Sequence, residues 1–317
     1  MKKLLIIGST CVDVIIKLDH LPKTGEDLHP EWQHFAMGGC AYNAAQIPRA
    51  LGLNPCLVTP VGTKGVFSGF VWQKLSQQGF RGPVRVDNAE NGCCYCFVEK
   101  SGERTFVSVH GIEYSFDPSY MKSLESEVFD YTYICGLEVE EPTGASLVSW
   151  LERHKEATGT VIYAPGPRGV KIDADLTRRI FQLHPILHLN ETEVLELGSH
   201  FNISTAALKL YRDTQNLVVV TMGERGVYWR SADGRSHDLP AVKTSVRDTI
   251  GAGDSHCGAF LSGLSLGMTE QQALSFASEI SAAVVSIEGS TLPDDTIQEI
   301  ARKYLADLPS DHASPSV

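Results

Sequence analysis

The stretch Arg247-Asp248-Thr249-Ile250-Gly251-Ala252-Gly253-Asp254-Ser255-His256 joins a glycine-rich turn to a run of small residues, Cys257-Gly258-Ala259-Phe260. A turn of this kind, feeding directly into a helix, lets the backbone N–H groups of residues 252 to 254 point at one place. The helix dipole adds positive potential there. The stretch therefore predicts an anion hole suited to the charge on a transferring phosphoryl group.

Asp254 falls in the first turn of the predicted helix, where the dipole keeps a carboxylate ionised. A carboxylate beside an anion hole can accept a proton from a substrate hydroxyl. Phosphoryl transfer depends more on positioning and charge neutralisation than on proton abstraction, so a weak base suffices. We predict that Asp254 is the catalytic base and that Gly251, Ala252 and Gly253 form the anion hole.

Three other glycine-rich motifs fit this stretch less well. A dinucleotide-binding fingerprint needs a third glycine where this chain has His256. A Walker A loop needs Lys followed by Ser or Thr after its last glycine, and the chain has no such loop. The Gly-x-Gly-Asp motif of intramembrane aspartyl proteases requires transmembrane helices, and no segment reaches the roughly 18 apolar residues that a membrane-spanning helix needs.

Short apolar runs typical of buried strands alternate with longer segments that have helical spacing. The predicted strands lie at 4–8, 55–61, 131–135, 160–163, 186–189 and 217–221, and two of the predicted helices lie at 41–51 and 144–156. Such alternation is typical of a mainly parallel sheet covered by helices on both faces. The predicted fold class is therefore α/β, with a doubly wound sheet.

Two regions, at about 11–36 and 92–110, carry strand-like patterns without an intervening helix. The second is predicted to form a hairpin that turns at Ser101-Gly102-Glu103. We expect these regions to form a small β-sheet lid over a ligand site, within one domain that spans 1–307. The tail at 308–317 is rich in Ser, Pro and Asp and is expected to be disordered.

The chain of 317 residues is 43% hydrophobic and carries a net charge of −11, which argues against a nucleic-acid partner. The opening apolar run ends early at Gly8, so we interpret it as a buried strand and not as a signal peptide. A cytoplasmic protein without a membrane partner is the resulting expectation. The eight cysteines are then expected to be reduced thiols and not a disulfide framework.

Both ends of the chain resemble the PfkB, or ribokinase, family of carbohydrate kinases. The stretch 248–260 is similar to the C-terminal signature of that family, and Gly38-Gly39-Cys40-Ala41-Tyr42-Asn43-Ala44-Ala45 resembles its N-terminal signature. The resemblance covers Gly8 to about Gly289. It implies a ribokinase-like fold with a β lid, a kinase that uses ATP and Mg²⁺, and Asp254 as the base.

The resemblance also implies residues that bind the substrate. Asp13 matches the family aspartate that binds substrate hydroxyls, while Gly38 and Gly39 allow close backbone approach and Asn43 donates a hydrogen bond. Glu138 stands where ribokinase-like members place a carboxylate on the substrate side.

A second group of residues is implied to bind ATP and cations. Asn190 and Glu193 match the Asn-x-x-Glu motif that organises Mg²⁺, and the same spacing also predicts a helix-capping box. The family's nucleotide loop corresponds to Thr221, Gly223 and Gly226. Its monovalent-cation site, a candidate for K⁺, corresponds to Asp248 and to the carbonyl groups of Ile250 and Gly289.

Some positions depart from the family pattern. Ribokinases proper have asparagine where this chain has Cys11 and lysine where it has Cys40, so D-ribose is not the expected substrate. Of the Asp-x-Asn-x-Arg run found in many members only Arg168 remains, as a candidate to neutralise phosphate charge or as an exposed ion-pair residue. Arg104, in the predicted hairpin, is a candidate to reach an anionic substrate group or an ordinary surface charge.

The sequence as a whole predicts ATP-dependent phosphorylation of a hydroxyl on a sugar-like small molecule, by a homodimer that pairs through its lid edges. A nucleoside kinase of the same family is the main alternative. A sugar-binding regulator without catalysis and a nicotinamide-dependent dehydrogenase are the alternatives from other classes.

Overall fold

The computed structural model describes residues 2–306, so the tail predicted to be disordered at 308–317 lies outside the described residues. In chain order, the strands are β1 (Leu4–Ile7), β2 (Cys11–Lys17), β3 (Trp32–Gly38), β4 (Cys56–Val58), β5 (Pro60–Lys64), β6 (Val84–Glu90), β7 (Cys93–Val98), β8 (Arg104–Val109), β9 (Tyr131–Cys135), β10 (Thr160–Ala164), β11 (Ile186–Asn190), β12 (Val218–Thr221), β13 (Val227–Arg230) and β14 (Ser236–Leu239).

The α-helices fill most of the intervals between the strands. They are α1 (Cys40–Ala50), α2 (Val66–Gln77), α3 (Gly136–Glu140), α4 (Gly144–Arg153), α5 (Lys155–Thr158), α6 (Ala174–Phe181), α7 (Glu191–Gly198), α8 (Ile203–Thr214), α9 (Ala252–Ser265), α10 (Glu270–Val284) and α11 (Asp294–Leu305).

The largest sheet has the strand order β14-β13-β12-β11-β10-β9-β1-β4. Neighbouring strands from β12 to β4 are parallel, whereas β13 and β14 add an antiparallel edge. The predicted mainly parallel sheet is confirmed, and the antiparallel edge is an addition that the sequence pattern did not predict.

Side chains of the central strands alternate between two hydrophobic cores, one on each face of the sheet. Leu4 and Ile6 of β1 belong to the core that includes α1, α9 and α10, whereas Leu5 and Ile7 belong to the core that includes α4 and α8. All four side chains are almost fully buried. This explains why β1 is an uninterrupted apolar run, as expected of a strand covered on both faces.

The predicted strand at 55–61 is in fact two strands, which is a correction. β4 pairs with β1 in the large sheet, whereas β5 leaves that sheet and pairs with β6. Pro60 begins β5, and its missing N–H cannot donate to a continuing ladder. The apolar character of both strands hid the break from the sequence pattern.

A separate four-stranded sheet, which we call the lid sheet, has the order β3-β2-β7-β8. β7 and β8 form the predicted hairpin, and Val98 pairs with Arg104 at its turn end. Ile15, Cys96 and Val98 form a small apolar core that packs against Ile250. The lid sheet therefore contacts the glycine-rich turn that precedes α9.

Across residues 2–306, no helix combines the length and apolar character needed to cross a membrane. All eight cysteines lie in the described region and are free thiols, as predicted.

Candidate active site

The carboxyl ends of the parallel strands lie at one edge of the large sheet, and several of the predicted site residues follow them. Glu138 comes after β9 and Glu193 after β11, while Thr221 ends β12; Ser9, which was not predicted, comes shortly after β1. In open α/β sheets, ligands bind outside this edge.

Asp254 lies in the first turn of α9 and is held by α1. Asn43 donates from Nδ2 to Oδ2 of Asp254 at 3.0 Å, and Ser290 donates from Oγ to Oδ1 of Asn43 at 3.1 Å. The chain of hydrogen bonds fixes the amide of Asn43, whose donor end then faces the carboxylate. The two predicted signatures, far apart in sequence, therefore meet in the structure.

Close packing of α1 against α9 makes this contact possible. A methyl group at Gly258 would lie 2.2 Å from the carbonyl oxygen of Ala44. Gly251, which precedes α9, has φ of 70°, and a methyl group there would lie 2.5 Å from Cβ of Ser290. Glycine is needed at both positions, for helix contact at Gly258 and for the left-handed turn at Gly251.

The first turn of α9 presents free backbone donors. Within residues 2–306, the N–H groups of Gly253 and Asp254 make no backbone hydrogen bond. The N–H group of Ala252 donates to the carbonyl of Thr249 at 3.3 Å. The available anion hole is therefore built from Gly253 and Asp254 more than from Ala252.

The carboxylates of Asp254 and Asp13 have raised pKa values. Burial raises the pKa of Asp254 to about 6, although hydrogen bonds from Asn43 and Cys40 act in the opposite direction. Burial and the negative charge of Asp254 raise the pKa of Asp13 to about 6. Near pH 7 Asp254 is mostly ionised yet more basic than an ordinary aspartate, which suits a general base.

Asp13 lies on β2, next to Gly38 of β3. A methyl group at Gly38 would lie 2.2 Å from Oδ2 of Asp13, and one at Gly39 would lie 2.5 Å from the carbonyl oxygen of Ser9. The two glycines thus leave room for the carboxylate and for the chain that follows β1.

Glu138 lies in the short helix α3 and is almost completely buried. Its Oε1 accepts the N–H group of Ser9 at 2.7 Å, whereas Oε2 has no partner within the described part of the chain. Burial raises the pKa of Glu138 to about 7, against the effect of the Ser9 hydrogen bond. The carboxyl group therefore has an unused oxygen.

The loop from Thr221 to Gly226 follows β12. Thr221 donates from Oγ1 to the carbonyl of Leu189 at 3.3 Å, and Gly223 and Gly226 both have positive φ. A methyl group at Gly223 would meet no atom within 4 Å, whereas one at Gly226 would lie 2.0 Å from the carbonyl oxygen of Leu239. Gly223 is open to a ligand, and Gly226 is packed against β14.

Asn190 and Glu193 form the predicted capping box at the start of α7, which is confirmed. Oδ1 of Asn190 accepts the N–H group of Glu193 at 2.9 Å, and Oε2 of Glu193 accepts the N–H group of Asn190 at 2.9 Å. Burial raises the pKa of Glu193. The carboxylate is therefore held rigidly at the carboxyl end of β11.

Asp248, Ile250 and Gly289 lie together before α9. The carboxylate of Asp248 accepts the N–H group of Ile250 at Oδ1 and that of Gly289 at Oδ2, each at 2.9 Å. Arg104 of the lid sheet lies with Nη2 at 3.0 Å from Oδ2 of Asp248. Arg104 therefore pairs with a buried carboxylate in the turn before α9. The sequence did not predict this ion pair.

Arg168 makes no ion pair with Asp254, Asp13 or Glu138. It forms a bidentate ion pair with Glu140, and its own side chain is exposed. This pairing lowers the pKa of Glu140.

Sequence reasoning missed two residues that contact the predicted site residues. Ser290 orients Asn43, and Ser9 donates its N–H group to Glu138. Ser290 follows Gly289 directly and Ser9 follows Gly8, so position beside a site glycine is the one available signal.

Comparisons with known proteins identify the family of this chain. Residues 1–297 match the family model described as pfkB family carbohydrate kinase. The uncharacterized sugar kinase YegV of Escherichia coli is 31% identical over 294 residues, which cover 91% of this chain and 90% of that protein.

Solved structures share the fold. The ribokinase of Thermotoga maritima has a TM-score of 0.79 at 24% identity and covers 95% of this chain and 100% of its own. The ribokinase of Cryptococcus neoformans in complex with ADP has a TM-score of 0.77 at 21% identity, with 94% and 99% covered. The ribokinase-like fold is confirmed, and so is the predicted enzyme class of carbohydrate kinase. The chain belongs to the pfkB family of carbohydrate kinases.

Proposed function

We propose that the protein transfers a phosphoryl group from ATP to a hydroxyl of a neutral, sugar-like polyol, with Asp254 as the catalytic base. One observation carries the proposal: the Asp254 carboxylate, held by Asn43, lies in the same helical turn as the free N–H groups of Gly253 and Asp254. A base and an anion hole in one turn are the two parts that this transfer needs.

In the proposed reaction the substrate hydroxyl oxygen bonds to the γ-phosphorus, the bond from phosphorus to the bridging oxygen of ADP breaks, and the hydroxyl proton passes to Asp254. The N–H groups of Gly253 and Asp254 donate to the phosphoryl oxygens. Asn43 holds the carboxylate so that one oxygen remains available for the proton.

The residues also suit Mg²⁺. Mg²⁺ bound with a nucleotide keeps several waters and needs only one or two carboxylates, where it neutralises phosphate charge. Each oxygen of Glu193 accepts one hydrogen bond from Asn190, which leaves lone pairs free on both. We propose that Glu193 orders the waters of the ion, while Thr221, Gly223 and Gly226 lie along the nucleotide.

The charge of the site favours a neutral substrate. Asp13, Glu138 and Asp254 place three carboxyl groups around the proposed sugar, and Arg168 is already paired with Glu140. An anionic sugar phosphate or sugar acid would meet like charge at these carboxyl groups. Carboxylates are good acceptors for several hydroxyls, so a polyol fits the same residues well.

The experiment is ADP release with Mg-ATP across neutral pentoses, hexoses and polyols, the matching sugar phosphates and acids, and nucleosides. Stimulation by a neutral sugar or polyol is the expected result. Stimulation by a nucleoside alone would favour the alternative kinase. ATP binding without stimulation by any compound would count against catalysis and favour a regulator.

We also propose that the protein is a homodimer that associates through the lid sheet. Phe106, Val107 and Val109 of the edge strand β8 are each about half exposed, at 53%, 50% and 51%. An edge strand with exposed apolar side chains is a site for pairing with a second copy. Sedimentation velocity should give a dimer, and Phe106→Lys should shift it to monomer; a monomeric wild type would contradict the proposal.

A further inference from the structure

We propose that the guanidinium of Arg104 takes the place of a monovalent metal ion beside Asp248. The cation thereby stabilises the glycine-rich turn that precedes α9 and the proposed anion hole. This inference rests on the proposed kinase function. It assigns Arg104 as a positioning residue that acts through Asp248 and does not touch the substrate.

The first observation is how Asp248 is held. Its side chain is only 2% exposed, and its oxygens accept the N–H groups of Ile250 and Gly289. The N–H group of Asp248 itself donates to the carbonyl of Val285 at 3.2 Å. One carboxylate therefore joins the turn before α9 to the segment after α10.

The second observation is the charge that balances this carboxylate. A buried, ionised carboxylate is costly unless a cation lies beside it. The guanidinium of Arg104 supplies that cation at 3.0 Å, and its side chain is itself only 19% exposed. Oδ2 of Asp248 thus accepts from both Gly289 and Arg104.

A K⁺ ion fits this arrangement poorly. Asp248, the carboxylate expected to bind it, already accepts two N–H groups and the guanidinium of Arg104, which supplies the positive charge. A second cation beside the same carboxylate would be repelled by the guanidinium. The structure therefore favours a site that carries its own cation.

Arg104 also links the lid sheet to the anion hole. It begins β8, while Ile250 of the turn packs on Ile15, Cys96 and Val98 of the same sheet. Gly251, at the end of that turn, sets the left-handed conformation from which α9 begins. The polar contact and the apolar contact together hold the turn in the shape that exposes the Gly253 and Asp254 donors.

The test compares protein in KCl with protein in tetramethylammonium chloride of the same ionic strength. Lys100→Ala is the matched control for Arg104→Ala, because Lys100 lies in the same hairpin and forms an ion pair with the exposed Asp19. Melting temperature is read beside ADP release, so the result does not depend on turnover.

We expect the wild type and Lys100→Ala to show the same melting temperature and rate in both salts. Arg104→Ala should lose about tenfold or more of its rate in tetramethylammonium chloride, and its melting temperature should fall by at least about 3 °C. KCl should restore much of both, because K⁺ can enter the space that the guanidinium leaves. Arg104→Lys should remain independent of K⁺.

A specific rise in the melting temperature or rate of the wild type with K⁺ would overturn the inference. So would an Arg104→Ala protein that matches Lys100→Ala, or one whose losses K⁺ does not restore. If Arg104→Ala fails to fold, the salt comparison of the wild type and the behaviour of Arg104→Lys still test the inference. Failure of the proposed function would appear instead as no turnover by the wild type in either salt.

Discussion

Two glycines of the proposed sugar-binding side and three glycines of the proposed nucleotide and cation sites have opposite surroundings. A methyl group at Gly38 or Gly39 would fall within 2.5 Å of other protein atoms, whereas one at Gly223, Gly253 or Gly289 would meet nothing within 4 Å. The first pair is required by the protein's own packing. The open glycines leave space that the protein does not fill, as expected where a ligand backs onto the chain.

The largest effect on activity should come from a substitution at one of the closely packed glycines, Gly38. Gly38→Ala places a methyl group against Oδ2 of Asp13, so the carboxylate must move. A misplacement of about 1 Å can cost about 100-fold, which is the fall we expect in kcat/KM for the sugar. Steady-state kinetics would measure it, with Gly69→Ala, at an open position in α2, as the control.

A change of pH should have the next largest effect. Because Asp254 and Asp13 both have pKa values of about 6, kcat/KM for the sugar should fall at least about tenfold from pH 7 to pH 5 as they protonate. A rate profile from pH 4.5 to 8 measures this. An acid limb near 4, typical of exposed carboxylates, would contradict the packed environment.

Adding a methyl group at an open glycine should raise the stability of the protein and weaken its use of ATP. Gly253 lies in the first turn of α9 and does not have positive φ, so Gly253→Ala should stabilise the protein by about 0.5–1 kcal/mol. The same methyl group occupies the proposed phosphate space, so KM for ATP should rise several-fold. Thermal unfolding and ATP titration measure the two effects, and Gly69→Ala should stabilise without changing KM. An unchanged KM for ATP would remove Gly253 from the nucleotide site.

The last predicted effect is on the free energy of unfolding, through Glu138. Its pKa is about 7 in the folded protein and near 4.5 when unfolded, so the folded state binds the proton more tightly. Stability from this group is present below about pH 4.5 and is lost as pH rises through 7. Glu138→Gln should therefore unfold like the wild type at pH 4.5 and be about 1–3 kcal/mol more stable at pH 8. Denaturant unfolding at both pH values would test this, and equal stability at pH 8 would contradict it.

The sequence predicted most of the large sheet, because strands buried on both faces are continuous apolar runs. It did not predict the antiparallel β13–β14 edge or the β5–β6 pair, in which β14 and β6 are largely exposed. Hydrophobic pattern carries little information at such edges.

For a related reason, individual residues of the candidate site could be predicted from the sequence but contacts between distant residues could not. Asp254 and Asn43 each lie in a distinctive glycine-rich signature, so both could be identified without knowing that they touch. The pair between Arg104 and Asp248 joins positions far apart in the chain and depends on how the lid sheet lies on the turn before α9. No local pattern encodes that contact, and the same holds for Ser290 and Asn43.

The most direct test of the central claim is the turnover of Asp254→Asn with the sugar that stimulates the wild type. The amide oxygen can still accept from Asn43, so the fold and ATP binding should persist. Loss of the base should lower kcat by at least about 100-fold. A variant that binds ATP and retains a kcat within tenfold of the wild type would contradict the assignment of Asp254 as the catalytic base.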